Sequence, residues 1–388
     1  SFPVEVSRKV MPALAPEELD LLPLLCACLP EVGSAGRDYR ATQARQAAVT
    51  GGISARANVR GGVDDVHRVK GVLVLAGKAL ARNQAALSEL LWETLTRSRF
   101  DELPRLRELV AQMRAQREEA VTDHGHMLAL AAASAGLSPT AALNHRWDGL
   151  QGLRDLKALD DTLDDPTALA AFAARLERLR DRLQHAPRQL LAVSEAERQD
   201  DIAAALATHW REGATGTVEP FALAVPEASP ARQGFSVNTQ VNFCAKAYPT
   251  VAPNHPDAPA LHVLGDFLRN GYLHRAIREQ GGAYGGGAGY HPDSGAFRFH
   301  SYRDPRLTET LADFDRALEW LHTYDHPTRT LEEAILGVIA AIDKPGSPAG
   351  EAISAFFGTL FGRTPEQRRA YRQQVLAVTL NDLKRVAA

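Results

Sequence analysis

The 13 histidines are the most obvious supply of catalytic or metal-binding groups in this 388-residue chain. A zinc hydrolase helix places two imidazoles one turn apart with a carboxylate beside them to activate water. Neither H-E-x-x-H nor H-x-x-E-H occurs. His209-Trp-Arg-Glu212 runs on into Gly213, so its second imidazole is missing. His322-Thr-Tyr-Asp325-His326 comes nearer, but Pro327 disfavours helical geometry at His326. Asp also reaches a bound water less easily than Glu. His124 and His126 fall two apart within a helical pattern and so face different ways. No metal ligand set is expected, and neither a G-x-S-x-G motif nor a catalytic cysteine context is present.

Chemistry is better sought in Arg278-Glu-Gln-Gly-Gly-Ala-Tyr284-Gly-Gly-Gly-Ala-Gly-Tyr290, where six of the ten residues from Gly281 onward are glycine. Glycines on this scale remove side chains and let another backbone approach closely. Arg278 and Tyr284 are the two large polar side chains that could hydrogen-bond what approaches. No G-x-x-x-x-G-K-[ST] or G-x-G-x-x-G phosphate motif is present. On composition alone the stretch reads as a Gly-rich turn between a helix and a strand.

The elements that must position these residues follow from periodicity. A strand is expected near 3–10 and helices over 16–29 and 39–49, the second ending in Thr50-Gly51-Gly52. Strands at 53–59 and 69–76 and a helix over 83–95 come next. A long helical stretch, 101–135, precedes helices at 138–160 and 165–184 and a strand at 189–193. The Gly- and Pro-rich segment 211–234 reads as an interdomain linker. Beyond it, 235–248 alternates as a strand, a helix spans 258–279, and His291-Pro-Asp-Ser-Gly295 turns into a strand at 296–302. The remainder is helical, with a capping box at Thr364-Pro-Glu-Gln367. Helix, Gly-Gly, strand, turn, strand, helix occurs at 39–96 and again at 258–322. That repeat predicts an α+β fold of two homologous α/β domains, each a mainly antiparallel sheet with helices on one face. The first is expected over 1–212, with a long helical insertion, and the second over 213–388.

Composition excludes several classes of function. Charged residues at 23% and hydrophobic ones at 45% describe a folded globular protein. A formal net charge of -3 gives no reason to expect nucleic acid or an anionic membrane as partner. The longest apolar run, Leu21–Leu29, is too short to span a bilayer and contains Pro23. Three cysteines, Cys26, Cys28 and Cys244, are too few for a disulfide framework and are expected to be buried thiols. A cytoplasmic location is expected. The chain starts at Ser1 without an initiator Met, as part of a longer polypeptide would.

The run Ile277-Arg-Glu-Gln-Gly-Gly-Ala-Tyr-Gly-Gly-Gly-Ala288 resembles a signature of the pitrilysin/insulysin zinc metallopeptidases, in their presequence protease branch. Asp123-His-Gly-His-Met-Leu-Ala-Leu-Ala-Ala, Trp147-Asp-Gly-Leu-Gln-Gly-Leu and Val375-Leu-Ala-Val-Thr-Leu-Asn-Asp-Leu-Lys-Arg-Val386 are similar to stretches in the same order there. The resemblance covers nearly the whole chain, but only the carboxy-terminal half of a family member. It implies four homologous α/β domains in the whole enzyme and two halves that close like a clamshell around a peptide. It also implies that the zinc, held by H-x-x-E-H and a later Glu, belongs to an amino-terminal half that this sequence does not include.

The resemblance assigns Arg278 a hydrogen bond to a peptide carbonyl and Tyr284 a hydrogen bond to the oxyanion of the tetrahedral intermediate. Gly281 and Gly282 join Arg278 as substrate-binding positions. The expected function is the second half of a zinc metalloendopeptidase that degrades short unstructured peptides in a closed chamber. Its partners would be those peptides and the amino-terminal catalytic half, and this chain alone would hold no zinc and cleave nothing. The alternatives are a zinc-free binding subunit paired with a separate catalytic chain, and a scaffold without a proteolytic role.

Overall fold

The computed structural model describes residues 4–210, 219–227 and 230–388. Two antiparallel sheets, each with its own hydrophobic core, organise the chain. In the first, β1 (Val4–Val10), β2 (Ile53–Gly61), β3 (Val69–Lys78) and β4 (Arg188–Val193) lie in the order β2-β3-β1-β4. In the second, β5 (Ala245–Pro249), β6 (Gly285–His291) and β7 (Ala296–Tyr302) lie in the order β5-β7-β6, so β6 is an edge strand.

Helices fill the rest. Before the first hairpin come α1 (Pro16–Cys28) and α2 (Tyr39–Val49). After it come α3 (Gln84–Thr96), α4 (Leu103–Asp123), α5 (Gly125–Ser134), α6 (Pro139–Trp147), α7 (Leu150–Thr162) and α8 (Pro166–Gln184). Beyond β4 lies α9 (Gln199–Trp210). In the second half α10 (Ala258–Leu268) continues into a π-wound segment, Arg269–Gln280. The chain then closes with α11 (Thr308–Thr323), α12 (Thr328–Ile342), α13 (Pro348–Phe361), α14 (Pro365–Leu376) and α15 (Leu380–Val386).

Alternation along the inner strands explains which face each sheet buries. On β3, Leu73 and Leu75 enter the first core with Leu22, Leu25, Leu87 and Leu91. On β7, Phe297 and Phe299 enter the second with Leu264, Phe267 and Phe314. Complete loss of a ring such as Phe299 would cost about 3–5 kcal/mol. The helix α10 lies so close to β6 that a Cβ at Gly265 would stand 2.8 Å from the Gly289 Cα.

The opposite faces are covered crosswise. Val72 and Val74 of β3 pack against Phe357 and Phe361 of α13, from the second half of the chain. Reciprocally, α5 from the first half lies against the second sheet, with Gly125 under the ring of Phe243. Both α5 and α13 are the third helix after their respective hairpins. Each half therefore shields the second face of the other's sheet.

The two copies of the repeat share one topology. The hairpin β2–β3 is antiparallel and sits beside β1; the hairpin β6–β7 is antiparallel and sits beside β5. Gly52 and Gly282 both take left-handed backbones, at φ 115° and 78°. The fold is mixed helix and antiparallel sheet, as expected.

Local departures have physical causes. The strand expected over 235–248 shrinks to β5, which pairs with β7 from Ala296 to His300; the Ser301 N–H bond to the Cys244 carbonyl and one isolated bridge, Asn242 to Asp304, extend the contact. Phe235 instead lies beneath the Arg154 guanidinium. The helix expected over 101–135 breaks at His124, which joins α4 to α5 and lets α5 swing onto the second sheet. The helix expected over 138–160 breaks between α6 and α7 at Asp148 and Gly149. The linker 211–234 lies partly outside the described residues. Within it, Phe221 is buried in the first core.

Candidate functional site

The π-wound segment turns Leu273, Ala276 and Ile277 into the core and leaves Arg278 exposed at its end. Helices wound this way concentrate at functional positions. Two backbone bonds close it: Gly282 N–H donates to the Arg278 carbonyl at 3.1 Å, and Ala283 N–H to the Ile277 carbonyl at 3.1 Å. The left-handed backbone at Gly282 makes this closure possible without strain. The Arg306 guanidinium fills the space where a Gly281 side chain would stand and donates to the Ala276 carbonyl at 3.2 Å. Gly281 is thus buried, and its lack of a side chain holds the turn together; Gly282 faces solvent.

Tyr284 follows at once. Its N–H donates to the Tyr302 carbonyl at 3.1 Å, which starts the β6–β7 ladder. Its ring is 70% exposed, although large aromatic side chains are normally well buried. The Tyr302 ring meets it edge-on at 5.5 Å between centroids. Among the described residues the Tyr284 hydroxyl has no hydrogen-bond partner and the Arg278 guanidinium has no ion pair. One exposed phenol and one free guanidinium thus flank the closed turn between them. Both are hydrogen-bond donors, suited to carbonyl oxygens or to a developing oxyanion.

A row of rings runs inward from Tyr284. Tyr302 is 4.7 Å from His126 of α5, in edge geometry, and His126 is 5.7 Å from His300. Burial, and then the neighbouring His126, Arg298 and Arg269 side chains, push the His300 imidazole down to about 4. Burial, with Arg298 beside it, holds His291 at about 4 as well. The alternation in Ala296-Phe-Arg-Phe-His-Ser-Tyr302 places Arg298, His300 and Tyr302 opposite Phe297 and Phe299. That signal was legible in the sequence, but its link to Tyr284 needed the structure.

The other histidine pairs do not form a metal centre. His322 lies in the last turn of α11, while His326 lies in the following loop with its ring 4.4 Å from Trp320 and 5.2 Å from Phe267. His326 Nε2 is 3.1 Å from the Leu321 carbonyl oxygen. The His124 and His126 rings stand 6.5 Å apart across the α4–α5 break. Among the described residues no group of three His, Cys, Asp or Glu side chains is arranged to hold a metal ion. Among them, too, no helix is long and apolar enough to cross a membrane. Cys26, Cys28 and Cys244 are free, buried thiols.

The chain is similar to known proteins along most of its length. The family of domains associated with subfamily C of the M16 peptidases matches residues 7–159, and the "PreP C-terminal domain" family matches residues 232–388. The chain belongs to the M16 peptidases, in that subfamily. Its second part is thus similar to the carboxy-terminal domain of the presequence protease type. The chain is 29% identical over 398 residues to "Presequence protease, mitochondrial" of Danio rerio, covering 96% of this chain and 38% of that protein. The protein of that name from Yarrowia lipolytica is 32% identical over 323 residues, covering 80% of this chain and 31% of its own length. The chain therefore spans less than two fifths of these curated relatives. Among solved structures, a conserved protein from Enterococcus faecalis V583 superposes with a TM-score of 0.67 at 15% identity, covering 100% of this chain and 90% of that one. A peptidase M16 inactive domain from Pseudomonas fluorescens gives 0.62 at 19% identity, covering 99% and 88%. These two structures share the fold.

Proposed function

We propose that this chain is the substrate-binding, carboxy-terminal half of a zinc metalloendopeptidase that degrades short unstructured peptides inside a closed chamber. The zinc and the general base belong to an amino-terminal half, in the same polypeptide or as a separate subunit. Arg278 donates to a backbone carbonyl of the bound peptide. Tyr284 donates a hydrogen bond from its hydroxyl to the carbonyl oxygen as it becomes an oxyanion, the point at which a fixed donor lowers the barrier most. Gly282 lets the peptide backbone come close, and Gly281 keeps the turn packed on Arg306.

The observation that carries this reading is the exposure of Tyr284 at 70%, with its ring steadied by Tyr302 and its hydroxyl free. A turn that served only to join helix to strand would not keep a large phenol in solvent beside an unpaired guanidinium. Proteins named presequence proteases supply the substrate class. The free thiols fit a reducing compartment, a condition met by the cytoplasm and by the mitochondrial matrix alike.

Reconstitution tests the division of labour. The chain alone should hydrolyse no peptide and retain no zinc after dialysis. Joined to, or mixed with, an amino-terminal half of the same peptidase family bearing H-x-x-E-H, it should restore hydrolysis of a quenched fluorescent peptide. Arg278→Ala in that assembly should raise KM as well as lower kcat, because a carbonyl is held in the ground state too. Stoichiometric zinc in the chain alone, or full activity of the amino-terminal half without it, would contradict the assignment.

A further inference from the structure

The face of the second sheet that carries the Tyr302 ring has an unusual composition. In the ladder register Tyr302 stands opposite Gly285, His300 opposite Gly287 and Ala245, and Arg298 opposite Gly289 and Ala247. Residues directly across a ladder share a face. Two long polar side chains of the central strand, Arg298 and His300, therefore have only glycine and alanine directly across from them, while Tyr302 has Gly285 on one side and the Phe243 ring at 5.9 Å. A Cβ at Gly285 or Gly289 would meet nothing within 4 Å, so space over those two positions is open, while at Gly287 between them the Arg269 stem and the His300 ring stand 3.4 Å away. The floor of this trough is backbone, and the helix α5 borders it on the β5 side, with His126 between Tyr302 and His300.

The charges in the trough are of one sign. Arg298 is largely desolvated, and burial lowers its pKa from the ordinary guanidinium value; no carboxylate among the described residues forms an ion pair with it. Arg269 reaches round the edge strand, with its Cδ 3.4 Å from the Gly287 Cβ position, and is itself paired with Asp266 at 2.9 Å. Asp293, the acid near His291, is engaged by Arg363 at 2.5 Å. A half-buried guanidinium without a counter-ion is costly, and such a group is satisfied when a ligand brings the missing charge.

We infer that Arg298 and His300 form a subsite for a carboxylate of the bound peptide, reached along the ring row from Tyr284. This rests on the reading of Tyr284 and Arg278 as substrate contacts and adds a charge preference to it. Tyr302 and Arg298 are four residues apart on one strand, roughly 13 Å at the usual strand rise. A peptide lying along β6 would thus place its acidic group about four residues from the bond facing Tyr284. The carboxylate comes either from an Asp or Glu side chain or from the peptide's own carboxy terminus. Arg298 offers a bidentate fork to either one, and His300 donates one further hydrogen bond.

Fluorescence anisotropy of the 388-residue chain with four labelled, unstructured peptides tests this. The peptides carry Glu or Gln four residues from the centre, each with a free or an amidated carboxy terminus. The Glu peptides should bind about tenfold more tightly than their Gln counterparts, the scale of a charge-assisted hydrogen bond. If Glu and Gln peptides bind alike and the free-terminus forms bind more tightly than the amidated ones instead, the chain end is the ligand. Arg298→Met should abolish the preference and leave the amidated Gln peptide unchanged, and His300→Gln should reduce it. In the wild-type chain the His300 ring proton, assigned by its loss in His300→Gln, should shift with the Glu peptide and stay still with the amidated Gln one. That observation stands even if Arg298→Met folds poorly.

Arg278→Ala separates the two ideas, because it should weaken all four peptides alike. If it weakens them while the four bind equally to the wild type, the carboxylate subsite is wrong and the reading of Arg278 survives. If it changes nothing while Arg298→Met erases a charge preference, the subsite stands and the reading of Arg278 fails. Four peptides of equal affinity, or an unmoved His300 resonance, would overturn the subsite.

Discussion

The hairpins β2–β3 and β6–β7 are built on the same plan and put to different use. Each follows a helix that ends in a Gly-Gly pair, and each lays its outer strand at the edge of an antiparallel sheet. The outer strand of the first, Ile53-Ser-Ala-Arg-Ala-Asn-Val-Arg-Gly61, carries side chains on both faces, and Arg60 stacks over Phe361 at 5.3 Å. The outer strand of the second is nearly bare, Gly285-Gly-Gly-Ala-Gly-Tyr-His291. With Gly51-Gly52 matched to Gly281-Gly282, the positions of Arg278 and Tyr284 hold Ala48 and Ser54 in the first copy. A shared supersecondary unit can serve as scaffold in one half and as a binding edge in the other; what changes is where side chains are withheld and which donors remain.

The glycines divide into two kinds, and substitution should separate them by a wide margin. Gly265→Val drives a side chain into the Gly289 backbone and should cost more than about 2 kcal/mol, because overpacking at a helix–sheet contact forces the elements apart. Gly285→Val gives β6 the kind of side chain β2 has, points into open space, and should change stability by about 0.5 kcal/mol or less. Urea denaturation of both variants checks this. Equal losses would mean that β6 is bare for packing reasons alone.

Acid should distinguish the hairpins next. The β2 and β3 strands contain no histidine, whereas His291 and His300 sit at about 4 on β6 and β7. Their folded-state values lie below the ordinary 6.5, so between pH 6.5 and about 4 the unfolded chain binds protons that the folded chain does not. Stability is therefore intact above pH 6.5 and falls as pH drops through that window, by on the order of 2 kcal/mol per imidazole. Urea midpoints at pH 6.5 and 4.5 should show the fall, and His300→Gln should remove about half of it. A fall unchanged in His300→Gln would mean that His300 titrates normally.

Much of this was legible in the sequence because local signals carried it. The repeated Gly-Gly junctions marked both hairpins, alternation marked 296–302, and the Thr364 capping box forms with Gln367 as expected. The crosswise exchange of α5 and α13 was not legible, since nothing local says which sheet an apolar helix will cover. For the same reason the break at His124 was hidden: the helical period runs through it, and only the demand of α5 for a distant sheet interrupts it. Arg278 and Tyr284 could be singled out by type beside the glycines. Arg298 and His300 could not, because their isolation arises from cross-strand neighbours on β5 and β6, and register is a property of paired strands.

The contribution of the Tyr284 hydroxyl to catalysis is the most direct test of the account. In the assembly with a zinc-bearing half, Tyr284→Phe removes one oxygen atom from a ring that is already mostly in solvent. Folded stability should stay within about 0.5 kcal/mol. Loss of a single oxyanion donor costs about 10²–10³ in rate elsewhere, and a zinc ion sharing the charge would bring the fall in kcat here to roughly 10- to 100-fold with KM nearly constant. Steady-state kinetics showing that fall, with an unchanged melting curve, is the predicted result. A Tyr284→Phe assembly with wild-type kcat, or one that unfolds markedly earlier, would contradict it and make this stretch a structural turn.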